Sequence, residues 1–237
     1  MKLTKEQIKR IKEHRDEGII GTLIIRKISR VITACLAGTK IGPIPINISS
    51  FVVGLTAAFF LALGEWRYLV IGGILVLFSY ILDNVDGEIA RLKGMVTKKG
   101  GWLDTLFDRI VEGAIFFGIC FGLYNQTNNP LIWMYGFIAI ISVYMSEIVP
   151  NITALQLEKT ALKKTHGSLF LTKIFKKLKI KQSFLSLGID VRLFIIALGA
   201  MLNQLMLVLW FFMIIQNLYW IAIMLLVGIR KEAEFAK

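Results

Sequence analysis

The stretch at residues 83–108, DNVDGEIARLKGMVTKKGGWLDTLFD, carries four aspartates at the junction of two strongly apolar segments. The basic segment in its middle, LKGMVTKK, predicts a turn centred near residue 95 that joins two antiparallel helices. Charged side chains are costly to place near hydrocarbon, so four of them at such a junction call for a reason. The stretch therefore predicts a helical hairpin whose carboxylates carry a function.

The composition of the whole chain is that of a membrane protein. Its 237 residues are 56% hydrophobic and have a mean hydropathy of +0.66, more than an ordinary soluble domain carries. A spanning helix needs about 20 apolar residues, and lipid leaves helices as the natural spanning element. We predict an all-α integral membrane protein with six transmembrane helices preceded by an interfacial amphipathic helix. The predicted spans are 47–64, 67–84, 101–124, 130–153, 185–206 and 207–229, the last two separated by the polar pair Asn203 and Gln204.

The spans divide the chain into three predicted parts. Residues 1–46 form cytoplasmic and interfacial helices, 47–229 form a six-helix catalytic domain, and 230–237 form a cytoplasmic tail. Just before the first span, the segment GTLIIRKISRVITACL shows an apolar stripe at helical spacing, which is typical of a helix lying in the membrane interface. The stripe is Ile24, Ile25, Ile28, Val31, Ile32 and Cys35, with Arg26, Lys27 and Arg30 off it.

The basic residues indicate the orientation in the membrane. Nearly all of them fall before residue 47, in 91–99, in 155–184 or after 229, and Arg67 is the exception on the other side. By the positive-inside rule these segments face the cytoplasm. We therefore predict a multi-pass cell membrane protein whose aspartates face the cytoplasm. The net charge of +12 is explained by anionic headgroups and requires no nucleic-acid partner.

The hairpin geometry predicts that the four aspartates converge on one small volume. Asp83 and Asp108 are equidistant from the centre of the turn, and so are Asp86 and Asp104. Within each helix the spacing is i, i+3 or i, i+4, which puts both members on one face. Asp83 follows an apolar run of roughly 24 Å of helix, so the cluster is expected at the inner edge of the hydrocarbon, in a pocket open to the cytoplasm.

Four neighbouring carboxylates repel one another and must be neutralised. Arg91 and Arg109 could do so in a buried ion-pair network that holds the hairpin closed. Alternatively the carboxylates bind divalent metal, for which oxygen ligands favour Mg²⁺, Mn²⁺ or Ca²⁺ over zinc. A pair of ions about 3.5–4 Å apart would be the two-metal arrangement of phosphoryl chemistry.

Glycines beside the aspartates favour the metal interpretation. Gly87 weakens its helix by about 1 kcal/mol relative to alanine and leaves bare backbone that a flat ligand can touch. Gly100 faces it from the next helix, where it is equally explained as a flexible helix entry. Arg91, one turn past Gly87, adds a fixed cation for a phosphate. Carboxylates, bare backbone and an arginine together describe a nucleotide pyrophosphate site.

The stretch reads D-x₂-D-G-x₂-A-R-x₈-G-x₃-D-x₃-D and resembles the signature of the CDP-alcohol phosphotransferase family. The resemblance implies transfer of a substituted phosphate from a CDP-alcohol to an alcohol acceptor, with release of CMP. It implies a homodimer and two divalent cations, Mg²⁺ or Mn²⁺, with Ca²⁺ as a candidate inhibitor. It assigns metal binding to Asp83, Asp86 and Asp104, with Asp108 as the general base beside them, and cytidine diphosphate binding to Asp83, Gly87, Ala90, Arg91 and Gly100.

The acceptor side rests on the segment GIDVRLF. An arginine inside a span is expensive, so Arg192 is expected to pair with Asp190 or Asp108, or to bind a ligand. In family members with phosphorylated acceptors, such as inositol phosphate or glycerol phosphate, an arginine at this place binds the acceptor phosphate. The resemblance thus implies that role for Arg192, with Lys163 and Lys164 as further candidates.

The entry to the first span resembles archaeal-type relatives that make di-inositol phosphates or inositol phospholipids. Those relatives often read T-P-N, whereas this chain reads Pro45-Ile46-Asn47. Asn47 is therefore expected either to face the nucleotide or to cap the helix, since asparagine is a favoured capping residue. The cytidylyltransferase domain fused to some such relatives has no counterpart here, so we expect a stand-alone chain or a fragment.

Two other functions remain open at this stage. Intramembrane prenyltransferases also bind Mg²⁺ and a diphosphate with paired aspartates, but their clusters lie far apart in sequence. A divalent-cation transporter would need polar groups continuing across the membrane, and beyond the aspartates the second and third spans are apolar except for Glu112. Release of CMP, consumption of prenyl diphosphate and passage of metal distinguish the three.

Overall fold

The computed structural model describes residues 25–161 and 188–228, with side chains described up to residue 152 and from 188 to 225. All regular structure in these ranges is helical. Predictions on residues 1–24, on Lys163 and Lys164, and on the C-terminal tail lie outside the described residues. The helices are α1 (Arg26–Leu36), α2 (Pro43–Ala62), α3 (Trp66–Leu92), α4 (Lys98–Thr127), α5 (Leu131–Ala161), α6 (Ile189–Met201), α7 (Leu205–Phe211), a π-helical turn (Phe212–Gln216) and α8 (Asn217–Gly228).

Several of these helices suit a membrane. Among the described residues, four helical stretches are long and apolar enough to cross one: Pro43–Ala62, Trp66–Leu92, Leu131–Ile152 and Leu205–Leu225. Large apolar side chains such as Phe59 and Phe117 point outward and are about three-fifths exposed, at 62% and 60%. A soluble surface would not carry so many, whereas lipid favours them. The predicted class, an all-helical multi-pass membrane protein, is confirmed.

The turn between α3 and α4 lies where the sequence predicts it, between Leu92 and Lys98. Gly94 takes a positive φ of 66°, and the amide of Met95 donates to the Ala90 carbonyl at 2.8 Å, which closes the end of α3. The hydroxyl of Thr97 accepts a hydrogen bond from the Gly100 amide at 3.0 Å and caps α4. Both arms of the hairpin therefore have defined ends.

The other helix ends follow similar rules. Extended Gly42 precedes α2, and Pro43 occupies its first turn, so the first apolar helix begins four residues before the predicted position at 47. Asn203 has a φ of 58° between α6 and α7, which agrees with the predicted turn at the Asn203 and Gln204 pair.

The chain folds as two compact units, and the first contains residues up to Trp133 together with 189–208. In this unit α2 packs against both arms of the hairpin. Ser50 and Ser79 exchange hydrogen bonds, each hydroxyl donating to the other's carbonyl at 2.8 and 2.9 Å. On α4, Gly118 lies directly against the backbone carbonyl of Ala58. The helices thus approach to backbone contact, as glycine-containing membrane helices do.

The second unit contains residues 134–188 and 209–237, of which 134–161 and 209–228 are described. The Ser142 hydroxyl donates to the carbonyl of Phe212 at 3.0 Å, where the helix widens into the π-helical turn. Such turns leave backbone groups in need of partners. A serine from α5 therefore stabilises this irregularity.

The helix α1 buries its polar side. Arg26 and Thr33 are buried against α3, whereas the apolar Ile28 and Val31 point outward, Val31 being 65% exposed. Arg26 lies off the apolar stripe, as the sequence indicates, but it contacts the buried Glu88 rather than a headgroup. The outward apolar face is what an interfacial helix needs, and its position in the interface stays a prediction.

We expect Gly118→Ala to destabilise the first unit. A methyl group on Gly118 would collide with the Ala58 carbonyl, a backbone atom that cannot rotate away, and overpacking costs about 1–3 kcal/mol. The unfolding midpoint in detergent should fall. Gly38→Ala is the control, because nothing lies within 4 Å of a methyl group there. Equal midpoints for the two variants would contradict the close crossing.

Candidate active site

The hairpin brings three of the four aspartates together. Carboxylate oxygens of Asp83, on α3, and of Asp104 and Asp108, on α4, all lie within 4.8 Å of one another. Asp83 is buried and the other two are half-buried. Three carboxylates this close together could hold a metal ion, and the predicted convergence is found for three of the four aspartates.

The fourth aspartate is connected to this cluster by Asn47 of α2. The Asn47 side-chain amide donates to Asp86 at 2.7 Å and to Asp104 at 3.1 Å, so the matched pair across the hairpin is bridged by an amide nitrogen. Because α2 begins at Pro43, Asn47 lies inside the helix and does not cap it. The capping interpretation is wrong; a nucleotide-facing role stays a prediction.

The residues present fit a hard divalent cation. All the converging donors are oxygens, which is the chemistry of Mg²⁺ and Mn²⁺ sites. The Asn47 amide oxygen, Oδ1, is buried without a hydrogen-bond partner among the described residues, and Asn47 and Asp83 line one cavity. A buried acceptor beside carboxylates is costly unless a cation or donor reaches it. This orphaned oxygen supports the metal interpretation over a purely internal ion-pair network.

The cavity at the cluster has an aromatic wall. Phe51 of α2 stacks on Phe107 of α4 with ring centroids 4.3 Å apart, and both rings line the cavity with Asp108 and Glu112. Apolar walls exclude water and strengthen electrostatic contacts inside. The carboxylates therefore face a cavity that has apolar as well as polar walls.

The predicted nucleotide-binding residues flank the cluster. Gly87, Ala90 and Arg91 lie at helical spacing on α3 and are half-buried. The Arg91 guanidinium covers the bare backbone: a methyl group on Gly87 would meet its Nη1 atom at 3.3 Å. Gly100 lies in the first turn of α4, where its amide is held by Thr97. The placement accords with a pyrophosphate site, and the roles of these residues stay predictions.

Arg192 is buried next to Glu112. Its side chain is 1% exposed, and its Nε lies 3.0 Å from a Glu112 oxygen, while the Arg109 guanidinium contacts the other oxygen at 2.8 Å. From the sequence, Asp190 or Asp108 is the expected partner of Arg192, and Glu112 is notable only as an acidic residue in an otherwise apolar span. Glu112 could have been recognised as a partner from its position, because an acidic side chain in a membrane span needs a cation.

The fold and the site together define a class of protein. Its members are helical, multi-pass membrane proteins in which one helical hairpin carries a cluster of carboxylate oxygens. The family profile of CDP-alcohol phosphatidyltransferases matches residues 43–227, so the chain belongs to this family. The family resemblance drawn from the aspartate motif is confirmed. Family membership also disfavours the prenyltransferase and transporter alternatives.

Two curated relatives are similar to the chain over part of its length. It is 40% identical over 111 residues to the bifunctional IPC transferase and DIPP synthase of Archaeoglobus fulgidus, covering 47% of this chain and 21% of the relative. It is 33% identical over 110 residues to the archaetidylinositol phosphate synthase of Pyrococcus horikoshii, covering 46% and 54%. The matches thus span about half or less of these relatives.

A solved structure shares the fold. The phosphatidylinositol phosphate synthase of Mycobacterium tuberculosis with CDP-DAG bound superimposes with a TM-score of 0.60 at 20% identity, covering 86% of this chain and 94% of that one. Another structure of that enzyme contains manganese and citrate. At this identity the likeness establishes the helical fold alone.

We expect Asn47→Asp to make the cluster dependent on added cation. The substitution replaces a donor between Asp86 and Asp104 by a further carboxylate, which adds like-charge repulsion. In EDTA its unfolding midpoint should fall below that of wild type, and Mn²⁺ should raise it by more than in wild type. Asn47→Leu, which removes the donor without adding charge, is the control. If Mn²⁺ left the unfolding midpoint unchanged in the wild type and in Asn47→Asp, that result would contradict a cation site at the cluster.

Proposed function

We propose that this protein transfers a substituted phosphate from a CDP-alcohol to an alcohol acceptor and releases CMP. The observation that carries the proposal is the convergence of Asp83, Asp104 and Asp108 within 4.8 Å, with Asp86 linked to them through Asn47. Family membership supports the reaction type.

The proposed roles divide the cluster between metal binding and proton transfer. Asp83, Asp86 and Asp104 would hold two divalent cations, with Asp108 as a further ligand or as the base. Bound cations would neutralise the diphosphate and the charge that develops on CMP as it leaves. The acceptor oxygen forms a bond to the phosphorus that carries the donor alcohol, and the bond from that phosphorus to the CMP oxygen breaks. The acceptor proton moves to a carboxylate oxygen of Asp108.

Donor binding is assigned to the hairpin helix α3 and the start of α4. Gly87 and Ala90 offer backbone, Gly100 offers a second bare surface, and Arg91 supplies the cation for a phosphate. The Arg91 guanidinium lies close to the Gly87 backbone. A donor pyrophosphate bound at Gly87 would therefore be next to this arginine.

The acceptor is proposed to be phosphorylated, with inositol phosphate as the leading candidate. The names of the relatives, which include an archaetidylinositol phosphate synthase, support this choice. Arg192 and Arg109 both contact Glu112, so an incoming phosphate would share two guanidinium groups with one carboxylate. Guanidinium groups are well suited to hold a phosphate through paired hydrogen bonds, which favours an anionic acceptor. Lys163 and Lys164 are proposed as further contacts.

The proposed membrane arrangement has six spans, a cytoplasmic active site and a homodimeric assembly. Four described stretches are long and apolar enough to cross a membrane, the last running through α7, the π-helical turn and α8, and α4 and α6 are proposed as parts of the other two spans. The positive-inside distribution supports the orientation. Residues 1–46, 47–229 and 230–237 are the corresponding proposed parts.

The decisive experiment measures CMP release from CDP-diacylglycerol, CDP-archaeol and CDP-inositol with phosphorylated and free acceptors. Asp83→Asn, Asp86→Asn and Asp104→Asn should each abolish CMP release and Mn²⁺-dependent thermal stabilisation together, because they share the cations. Activity retained in all three would exclude the metal assignment. Prenyl diphosphate consumption or metal uptake into vesicles, without CMP release, would favour the alternative functions.

Asp108→Asn is the internal control for that series. If Asp108 is chiefly the base, the variant keeps donor binding and loses roughly 10²–10⁴-fold in turnover, the usual value of general base catalysis. If it is chiefly a ligand, donor affinity and Mn²⁺ stabilisation fall as well. Titration of the donor beside steady-state kinetics separates the two roles.

We expect Arg192→Ala to raise the KM of a phosphorylated acceptor while barely changing donor affinity. A lost charge-assisted contact is worth about 1.5–3 kcal/mol, or roughly 10–150-fold. Stability should also fall, because Glu112 loses one of its two arginines. Arg67→Ala, which removes an exposed pair with Glu65, is the matched control. A wild-type acceptor KM in Arg192→Ala would point to an unphosphorylated acceptor.

We expect a cysteine-directed, membrane-impermeant label to reach Lys98→Cys only from the cytoplasmic side and Asn128→Cys only from the outer side. The two positions lie at opposite ends of α4. Labelling of intact cells and of inverted vesicles gives the comparison, with native Cys35 replaced by serine in both variants. Reversed accessibility would overturn the proposed orientation.

A further inference from the structure

Glu88 lies within the aspartate motif but is bound by a different helix. It is fully buried on α3, at 0% exposure, and three donors from α1 converge on its carboxylate. Arg26 donates at 2.9 Å, the Ser29 hydroxyl at 2.9 Å and the Thr33 hydroxyl at 2.6 Å. One acidic side chain therefore satisfies most of the polar face of α1.

Helical geometry places Glu88 on the back of the donor-binding surface. At 100° per residue it shares a face with Ile81 and Val85, which are buried in one apolar cluster with Ile25. The donor-binding residues of α3 lie elsewhere around the helix: Asp83, Asp86 and Ala90 roughly 140–160° from Glu88, and Gly87 roughly 100° from it. Glu88 is thus placed to act on the site through α3 and not by contact with a ligand.

A second attachment fixes the segment that follows α1. The ammonium group of Lys93, just past the end of α3, donates to the carbonyls of Thr39 and Ile41 at 2.7 and 2.8 Å. The connection between α1 and α2 is therefore tied to the same helix that carries Glu88. The two attachments therefore hold α3 at Glu88, within the donor-binding stretch, and at Lys93, just after it.

The ion pair is needed to keep α1 in place. An isolated helix of 11 residues is marginal in water, so α1 depends on its packing against α3. Removing Arg26 would leave a charged carboxylate buried, whereas removing both charges together is tolerated far better. The docking of α1 is therefore sensitive to either partner alone.

We propose that Glu88 is a positioning residue for the donor: it fastens α1 to the back of α3 and so holds the Gly87–Arg91 stretch in its binding geometry. This inference rests on the proposed function. Because the outer face of α1 is apolar, with Val31 exposed, the same contact ties the depth of the donor site to the lipid surface.

The test compares charge-removing and charge-keeping variants in the full-length protein. Glu88→Gln and Arg26→Met should each weaken CDP-alcohol binding by about tenfold or more, while the acceptor KM stays within about twofold. Arg26→Lys, which keeps the charge, should recover most of the affinity. Lys27→Met, which removes an exposed charge from the neighbouring position on α1, is the matched control and should bind like wild type.

A fluorophore on Cys35 reports whether α1 stays docked. Cys35 is exposed on α1, whereas the other cysteine, Cys120, is buried, so maleimide labelling is selective. Anisotropy of the label should fall in Arg26→Met and return in the double variant Arg26→Met with Glu88→Met, in which an apolar contact replaces the ion pair. Donor affinity should return with it.

Three outcomes would count against the proposal. Donor affinity within about threefold of wild type in both Glu88→Gln and Arg26→Met would overturn the positioning role. So would a double variant whose label is immobile again but whose donor affinity is still lost. A wild-type protein that binds no CDP-alcohol would overturn the proposed function as well, and that result differs from a loss confined to the variants.

Discussion

Mutual repulsion among carboxylates in one lipid-bounded hairpin is the constraint on which the rest of the structure depends. Negative charges this close repel one another and need neutralisation. Asn47 reaches in from α2 with an amide donor for two of them, and the all-oxygen donor set fits a hard cation. The turn at Gly94 and the capped start of α4 hold the arms at the register that brings the carboxylates together. The fold thus keeps mutually repelling groups side by side, which is the arrangement that the proposed cation site requires.

Two further buried acids show how the same problem is solved without a ligand. Glu88 is neutralised by Arg26 and two hydroxyls on one side of α3, and Glu112 by Arg109 and Arg192 deeper along α4. Glu88 is bound entirely from α1, whereas Glu112 takes one arginine from its own helix and one, Arg192, from α6, so each acid also fixes one helix to another. At the aspartate cluster, by comparison, the fold brings together converging carboxylate oxygens and the orphaned amide oxygen of Asn47, which is the arrangement on which the proposed metal site rests.

The sequence predicted what depends on local spacing. The long apolar runs predicted a helical membrane protein. The aspartates, placed at equal distances on either side of residue 95, predicted the hairpin and its turn. Asn203 predicted the break between α6 and α7. Pairings between distant helices were not predictable, because nothing local distinguishes Glu88 from a surface glutamate or names Glu112 as the partner of Arg192. For Asn47 the residue type suggested a cap, and only the start of α2 at Pro43 shows that its amide lies among the carboxylates.

The backbone contact at Gly118 sets how closely α2 and α4 approach. It lies ten residues beyond Asp108, or about 15 Å along α4, where a methyl group would collide with the Ala58 carbonyl. At the carboxylate end the same two helices are joined by the stacked rings of Phe51 and Phe107. The distance between the helices is thus fixed at two levels, so a bulkier side chain at the distant level would change the room left for the carboxylates.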